Sequence, residues 1–574
     1  MKIKTKMQDL MIKNEERKLI EPEFFKYPSL KLSFRQLCDI ELLLNGAFYP
    51  LNGFMNQNDY NSVVNNMRLI DGTLWPIPIT LDVTHEVAKS INIKDKIILR
   101  DQENFPIAIF IVSDIWEPEL EKEAMSIYGT SDDFHPGVNY LLNKVHKFYL
   151  GGELKGLSLP RHFDYLNERH TPAQLKQKFH ENKWDKIIAF QTRNPLHRAH
   201  VEMIKIALKD LSANLLIHAV VGITKPGDID HFTRVRCYMH VLEKFPKKSV
   251  MLSLIPLAMR MAGPLETLWH AIIRKNYGCT HLIVGRDHAG PGLDKNGLQF
   301  YEPYEAQDLL IKYKDEINID IVPFKFMVYL PSTDRYSAID ELGKQEDYKT
   351  LSGTELRQLL DNGNGIPHWF TYREVSRELE KARPPLTRRG LTIFFTGLSG
   401  AGKSTLANGL LIKLLEEGSR PVTLLDGDIV RTHLSSELGF SKKDRSINVQ
   451  RIGFVASEIT KNGGIAICAP IAPYSRDRDL NRKLISSLGG YIEVYVSTSL
   501  EICEERDAKG LYRKARKGII GKFTGISDPY EVPDSPEIVI DSSDTSPDEL
   551  VNELYLKICD KGYIKKNNGP KKNF

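Results

Sequence analysis

Residues 391–405 read LTIFFTGLSGAGKST. A short apolar run passes into G-x-x-x-x-G-K-[ST] at Gly397, Gly402, Lys403 and Ser404, and KSTLANGLLIKLLEEG continues with helical spacing. No other stretch restricts the fold as tightly. Strand, glycine-rich turn and helix in that order put the unpaired N–H groups of a helix start around an anion, and the glycines let the backbone aim those groups inward. The spacing predicts that Lys403 reaches the β- and γ-phosphates of ATP and that Ser404 ligates Mg²⁺. The candidate ATP contacts here are Gly397, Leu398, Ser399, Gly400, Ala401, Gly402, Lys403, Ser404 and Thr405. A glycine-rich turn without a ligand is the alternative, and the full motif in its strand–helix context weighs against it.

This loop names a phosphoryl donor but no acceptor. Downstream, LDGDIVR places Asp426 and Asp428 at the end of the next strand, with Arg431 a helical turn later. A carboxylate there can orient an attacking hydroxyl or bind metal through water, and Arg431 can hold an anionic acceptor. LGFSKKDRSIN adds Phe440, Arg445 and Asn448. An aromatic ring, a guanidinium and an amide suit a planar base carrying an anionic group, or else belong to a solvated charged face. In order, GLSGAGKST, LDGDIVR, LGFSKKDRSINVQRI, APIAPYSRDR, ERDAKGLYRKAR and KFTGISDPYE resemble the adenylylsulfate (APS) kinases over essentially all of 390–560. The resemblance implies a P-loop NTPase-type α/β kinase domain that phosphorylates the ribose 3′-hydroxyl of APS, giving PAPS. It implies catalytic roles for Lys403 and Asp428, and acceptor contacts from Asp428, Arg431, Phe440, Arg445, Asn448, Lys509 and Phe523. Many members have Ser in I-S-P-Y where this chain has Ala472. No phosphoserine can form there, so direct in-line transfer from ATP is expected.

A second basic turn lies upstream. QTRNPLHRAH, residues 191–200, follows the apolar run KIIAF and leads into RAHVEMIKIALKDL, where Val201, Ile204, Ile206, Ala207 and Leu211 recur at near-helical spacing. A turn between a parallel strand and a helix lies at the carboxyl edge of the sheet, where α/β folds bind ligands. Arg193, His197 and His200 make it anion-seeking, and Gln191 and Asn194 add neutral hydrogen bonds. The alternative reads the two histidines as core or capping residues. GRDHAGPG, residues 285–292, repeats the pattern after the strand HLIV. Nucleotidyl transfer to an anionic nucleophile fits: such a nucleophile has no proton to remove, and needs positive charge against the triphosphate and in the transition state. H-x-x-H lacks the glutamate of H-E-x-x-H, so no zinc is expected.

QTRNPLHRAH, GRDHAGPG, MVYLPSTDRY and LSGTELR, with HPGV at 135–138 and NGFM at 52–55, resemble the ATP sulfurylases (sulfate adenylyltransferases) from about residue 20 to 380. The resemblance implies that Thr192, Arg193 and Asn194 form the active turn. It implies that His197 and His200 stabilise charge on the α-phosphate and the leaving pyrophosphate. ATP contacts would come from Gln191, Thr192, Arg193, Asn194, Gly285, Arg286, Asp287, His288 and Met327, and sulfate contacts from Gln191, Arg193 and Ala289. Together the two resemblances identify a bifunctional sulfurylase–kinase with the sulfurylase half first, that is, a PAPS synthase. The expected reactions are adenylyl transfer from ATP to sulfate, then phosphorylation of APS. Two alternatives keep part of this: a kinase-like domain that serves as an allosteric receptor for PAPS or APS, or a sulfurylase run in reverse to make ATP during sulfur oxidation. Intact Lys403 and Asp428 favour the active kinase.

At 574 residues the chain exceeds one compact core. The expected class is α/β multidomain. It comprises a β-rich (PUA-like) domain over 1–165, where LWPIPITLDV, KIILRD and PIAIFIVSDI read as strands, and a Rossmann-like nucleotidyltransferase domain over 166–325. A sulfurylase C-terminal subdomain with linker follows over 326–385, and the kinase domain over 386–574. Pro384-Pro385 in RELEKARPPLTRRG marks the linker, because a helix cannot run through the pair. A net charge of +4 is too small to imply nucleic-acid binding, and no run has the apolar length to span a bilayer. The six scattered cysteines read as buried free thiols in a reducing compartment. MKIKTKMQDLMIKNEERK is not a secretory signal and the tail KKNNGPKKNF is expected to fray. A cytoplasmic homo-oligomer acting on ATP, sulfate and APS, with Mg²⁺ as its metal and no nucleic-acid or membrane partner, is the expectation.

Overall fold

The computed structural model describes residues 9–343 and 346–565; the first eight residues and 566–574, which hold nearly all of the expected frayed tail, lie outside the described residues. The chain forms two compact units. The first comprises Met1–Leu351 and Pro367–Leu379, the second Ser352–Ile366 and Glu380–Phe574. The segment 326–385 is thus divided between them.

The first unit opens with a six-stranded sheet of β1 (Ser29–Lys31), β2 (Gly53–Phe54), β3 (Leu81–Val83), β4 (Lys96–Arg100), β5 (Pro106–Trp116) and β6 (Phe148–Gly156), ordered β1-β4-β5-β6-β2 with β3 also on β6. All pairs are antiparallel except β1 with β4. HPGV is a helix start: His135 is buried and accepts from the backbone N–H of Gly137.

A five-stranded parallel sheet follows, built from β7 (Ile187–Thr192), β8 (Asn214–Val220), β9 (Val250–Ile255), β10 (His281–Val284) and β11 (Asp320–Pro323), in the order β11-β10-β7-β8-β9. Helices cover both faces of such a sheet, so its strands are continuous apolar runs; β7, IIAFQT, is buried throughout. The chain order reverses on either side of β7, which makes the end of β7 a switch point. The following helix, Arg198–Leu211, buries Val201, Met203, Ile204 and Ala207. Ile206, expected on that face, is exposed, because the buried stripe is set by Met203 instead. A hairpin of β12 (Met327–Leu330) and β13 (Arg335–Ala338) packs through β12 on this helix.

The second unit holds a parallel sheet of β14 (Leu391–Thr396), β15 (Val422–Asp426), β16 (Ile465–Ala469), β17 (Gly490–Val496) and β18 (Ile538–Ile540), in the order β15-β16-β14-β17-β18. Alternation splits β14 between two core layers. Leu391, Ile393 and Phe395 join the layer with Leu410 and Leu554, while Phe394 joins Val449, Ile452 and Ile485 on the other face. β14 again sits where the strand order reverses. Ahead of it, the Arg373–Ala382 helix stops before Pro384-Pro385. Asp361 accepts from Arg383 at 2.6 and 2.8 Å and from Arg389 at 2.6 Å, so both arginines flanking the proline pair share one carboxylate. All six cysteines are free and buried.

Candidate active sites

In the first unit, β7 delivers Gln191 and Thr192 to the switch point. Thr192 Oγ1 donates to Asn194 O at 2.8 Å and accepts from Asn194 N at 3.1 Å, and Tyr238 OH donates to the same carbonyl at 2.9 Å. The turn is therefore fixed by its own side chain. Arg193 Nη1 donates to Asp228 at 2.5 Å, and Nη2 reaches Gly290 O at 3.3 Å. That second bond joins the 191–200 turn to the 285–292 turn.

The two histidines begin the helix. His200 Nδ1 accepts from the backbone N–H of His197 at 3.1 Å, so the capping reading holds for that atom. His197 is buried, its ring 4.2 Å from that of Phe370 at a tilt of 35°, with Nδ1 3.0 Å from Thr371 Oγ1. Burial, aided by the neighbouring His200, lowers His197 to about 3, and burial lowers His200 to about 4. Both are neutral at pH 7 in the ligand-free protein. The positive charge expected from this turn thus reduces to Arg193, paired with Asp228, and Arg198, which donates to His368 O.

On the second turn, Asp287 and Ala289 adopt left-handed backbone, and Arg286 pairs with Asp287 at 3.0 Å while lying 5.4 Å from the Phe326 ring. Phe326 precedes Met327, which brings β12 alongside this turn. A Cβ built on Gly285 would meet nothing within 4 Å, so the backbone is open to approach there. His288 Nε2 lies 3.4 Å from His270 Nδ1, and His270 Nε2 lies 3.3 Å from Glu266 and 3.4 Å from Gln191 Nε2. Gln191 Oε1 is buried with no hydrogen-bond partner. Burial would push Glu266 up, yet His270 and the N–H groups of Arg260 and Ala262 hold its carboxyl below the usual range. Asp228, Glu266, His270, Phe370 and Thr371 had no motif to announce them. Asp228 does lie in the loop after β8, at the same sheet edge, and that placement was the available signal.

In the second unit, the glycine turn follows β14 with positive φ at Gly397, Gly400 and Gly402, and Gly402 caps the Lys403–Glu417 helix at φ +97°. Lys403 is buried, which lowers it to about 8, and its Nζ donates to Leu398 O at 2.7 Å within the turn. Ser404 Oγ donates to Asp426 Oδ2 at 2.8 Å, while Asp426 Oδ1 accepts from Asp428 N at 3.0 Å. Asp428 pairs with Lys509 at 2.6 Å, both largely exposed. Arg431 lies 4.4 Å over the exposed Phe440 ring. Phe523 meets Tyr512 edge-on at 5.0 Å, and Tyr512 OH donates to Ser399 O of the glycine turn. Arg445 donates from Nη1 to Thr524 and from Nη2 to Asp528, each at 2.7 Å. Asn448 Oδ1 and Arg445 Nε are buried without partners. Ala472 is buried at φ 45°, and its carbonyl accepts from Thr396 and Arg478.

Among the described residues no group of three His, Cys, Asp or Glu side chains is placed to hold a metal, and no helix is long and apolar enough to cross a membrane.

Residues 2–159 match the family model of a PUA-like domain, 167–382 that of ATP-sulfurylase, and 389–541 that of adenylylsulphate kinase. A sulfate adenylyltransferase of Phaeosphaeria nodorum is 48% identical over 564 residues, covering 97% of this chain and 98% of its own length. One from Mycosarcoma maydis is 49% identical over 535 residues, covering 92% and 93%. A solved hexameric APS kinase from Thiobacillus denitrificans is 36% identical, with a TM-score of 0.81 over 98% of both chains.

Proposed function

The chain belongs to the sulfate adenylyltransferase family and carries an adenylylsulphate kinase domain, an enzyme of sulfate activation; from that premise we propose that it makes PAPS in two steps on one polypeptide. In the first, a sulfate oxygen attacks the α-phosphorus of ATP, the bond to the β-phosphate oxygen breaks, and pyrophosphate leaves with APS as product. Gln191, Arg193 and Ala289 hold sulfate, with Asp228 fixing the Arg193 guanidinium. Thr192, Arg193 and Asn194 shape the turn, and residues 285–288 with Met327 hold ATP. His197 and His200 donate to the α-phosphate and the departing pyrophosphate.

In the second step the ribose 3′-hydroxyl of APS attacks the γ-phosphorus of a second ATP. Its proton passes to Asp428, and ADP leaves. The glycine turn 397–402 and Lys403 cradle the phosphates, while Arg431, Phe440, Arg445, Asn448, Lys509 and Phe523 hold APS. Ser404 and Asp426 offer two hard oxygen donors 2.8 Å apart, which suits Mg²⁺ completed by phosphate oxygens and water. Bound there, Mg²⁺ would neutralise charge on the transferring phosphate. The first step is uphill because the phosphate–sulfate anhydride is a high-energy bond, and consuming APS draws it forward.

The observation that carries this reading is the pair of strand-to-helix turns, each at the switch point of its own parallel sheet, the second with Lys403 bonded within the glycine turn and Asp428 paired with Lys509. Its test is to supply ATP, sulfate, Mg²⁺ and a pyrophosphatase and to follow nucleotides by chromatography. PAPS accumulation is expected. Accumulation of APS without PAPS would assign the second unit as a receptor. Assembly into a homo-oligomer, the state named for the hexameric relative, is part of the proposal and is read by sedimentation.

A further inference from the structure

The 523–528 turn does more than carry Phe523. Its backbone is closed on itself: Gly525 N donates to Asp528 O at 2.8 Å, Asp528 N to Phe523 O at 3.1 Å, and Phe523 N to Ser527 Oγ at 2.9 Å. From this closed turn Thr524 and Asp528 take one terminal nitrogen each of Arg445. Asp528 Oδ2 also accepts from Tyr474 OH at 2.6 Å, and the Tyr474 ring lies 5.5 Å from the same guanidinium. The carboxylate is therefore braced from behind, and the arginine has little freedom: the side chains of Arg445 and Asp528 are 11% and 15% exposed.

Each terminal nitrogen of Arg445 has a partner, whereas Nε is buried and has none. One helical turn on, Asn448 Oδ1 is likewise buried and unpartnered. A buried donor and a buried acceptor, both open, on residues one helical turn apart mark a surface completed by a ligand.

We propose that Asp528 is a positioning residue for the acceptor nucleotide: it holds Arg445 so that Nε, one helical turn from Asn448, faces the acceptor, and ties that arginine to the turn carrying Phe523. This rests on the reading that the second unit binds APS. Charge alone argues the opposite way, since removing a carboxylate makes the site more attractive to an anion. The sign of the effect thus separates positioning from simple electrostatics.

The test is calorimetric titration of the full-length protein with APS, run with and without MgADP: the first unit also takes APS, as its product, so the binding that depends on MgADP reads the second unit whether or not it turns over. Asp528→Ala is expected to weaken APS at least roughly tenfold, the loss of one charge-assisted hydrogen bond. Asp528→Asn, which keeps an acceptor, should fall between Ala and wild type, and Tyr474→Phe should weaken APS less than Asp528→Ala. MgADP affinity and sulfurylase activity should stay within twofold in each variant, which excludes unfolding. In steady state the loss should fall on KM for APS and not on kcat. Unchanged or tighter APS binding by both Asp528 variants overturns the positioning role. Absence of MgADP-dependent APS binding to the wild-type protein overturns the underlying reading along with it.

Discussion

At the scale of single residues, Lys403→Ala should remove PAPS formation and leave APS synthesis within twofold, measured by separate assays of the two steps. His200→Ala should cut APS synthesis by two orders of magnitude or more, as for loss of a transition-state donor, while leaving phosphorylation of supplied APS intact. If either substitution removed both activities in a folded protein, the assignment of separate sites would fail. Both residues, with Asp428, Arg193 and His197, stand in contiguous signatures, because phosphate and nucleotide chemistry requires backbone turn and side chain together. Thr371 meets His197 across 174 residues, and Asp228 meets Arg193 across 35, and no local pattern encodes either. The charge state of the histidines is equally hidden: their positions predict a cationic turn, whereas burial makes them neutral. The depressed histidines also set a stability profile. Between their folded values and the usual 6.5 the unfolded chain binds more protons, so stability rises with pH across that window and is flat above it. The unfolding temperature of the first unit should therefore fall as pH drops from about 6.5 toward 4, followed by circular dichroism.

At the scale of elements, the parallel sheets were the legible part. Strands buried on both faces read as short unbroken apolar runs, and KIIAF, HLIV and LTIFFT all became strands at the expected positions. Helix faces were less so: a hydrophobic stripe of 3.6-residue period admits Ile206 or Met203, and only tertiary packing decides for Met203. The turn after β14 depends on backbone that a side chain resists. Gly402 at φ +97° places the first amide of its helix, and an added Cβ would lie 3.2 Å from Ser542 Oγ. Gly402→Ala should destabilise the second unit by about 1–3 kcal/mol and abolish MgATP binding there. Chemical denaturation and calorimetry read the two effects.

At the scale of the whole molecule, two nucleotide sites on one chain require only that APS leave one and reach the other. An equimolar mixture of the Lys403→Ala and His200→Ala proteins should therefore regain PAPS synthesis from ATP and sulfate, at a rate rising with protein concentration. Failure of the mixture, with each partner active in its own half-reaction, would mean that APS does not exchange with solvent.

The chain passes between its compact units at 351/352, again at 366/367 and once more at 379/380. No single cut, and no single crossover between two genes, separates the units cleanly: one at 351/352 carries Pro367–Leu379 of the first unit along with the second. A graft beginning at Glu380 would abandon the Ser352–Ile366 segment, and with it the Asp361 carboxylate that Arg383 and Arg389 share. Lineages that separate or exchange the two halves must inherit this interleaved stretch as a block, or rebuild the missing anchor within the kinase itself.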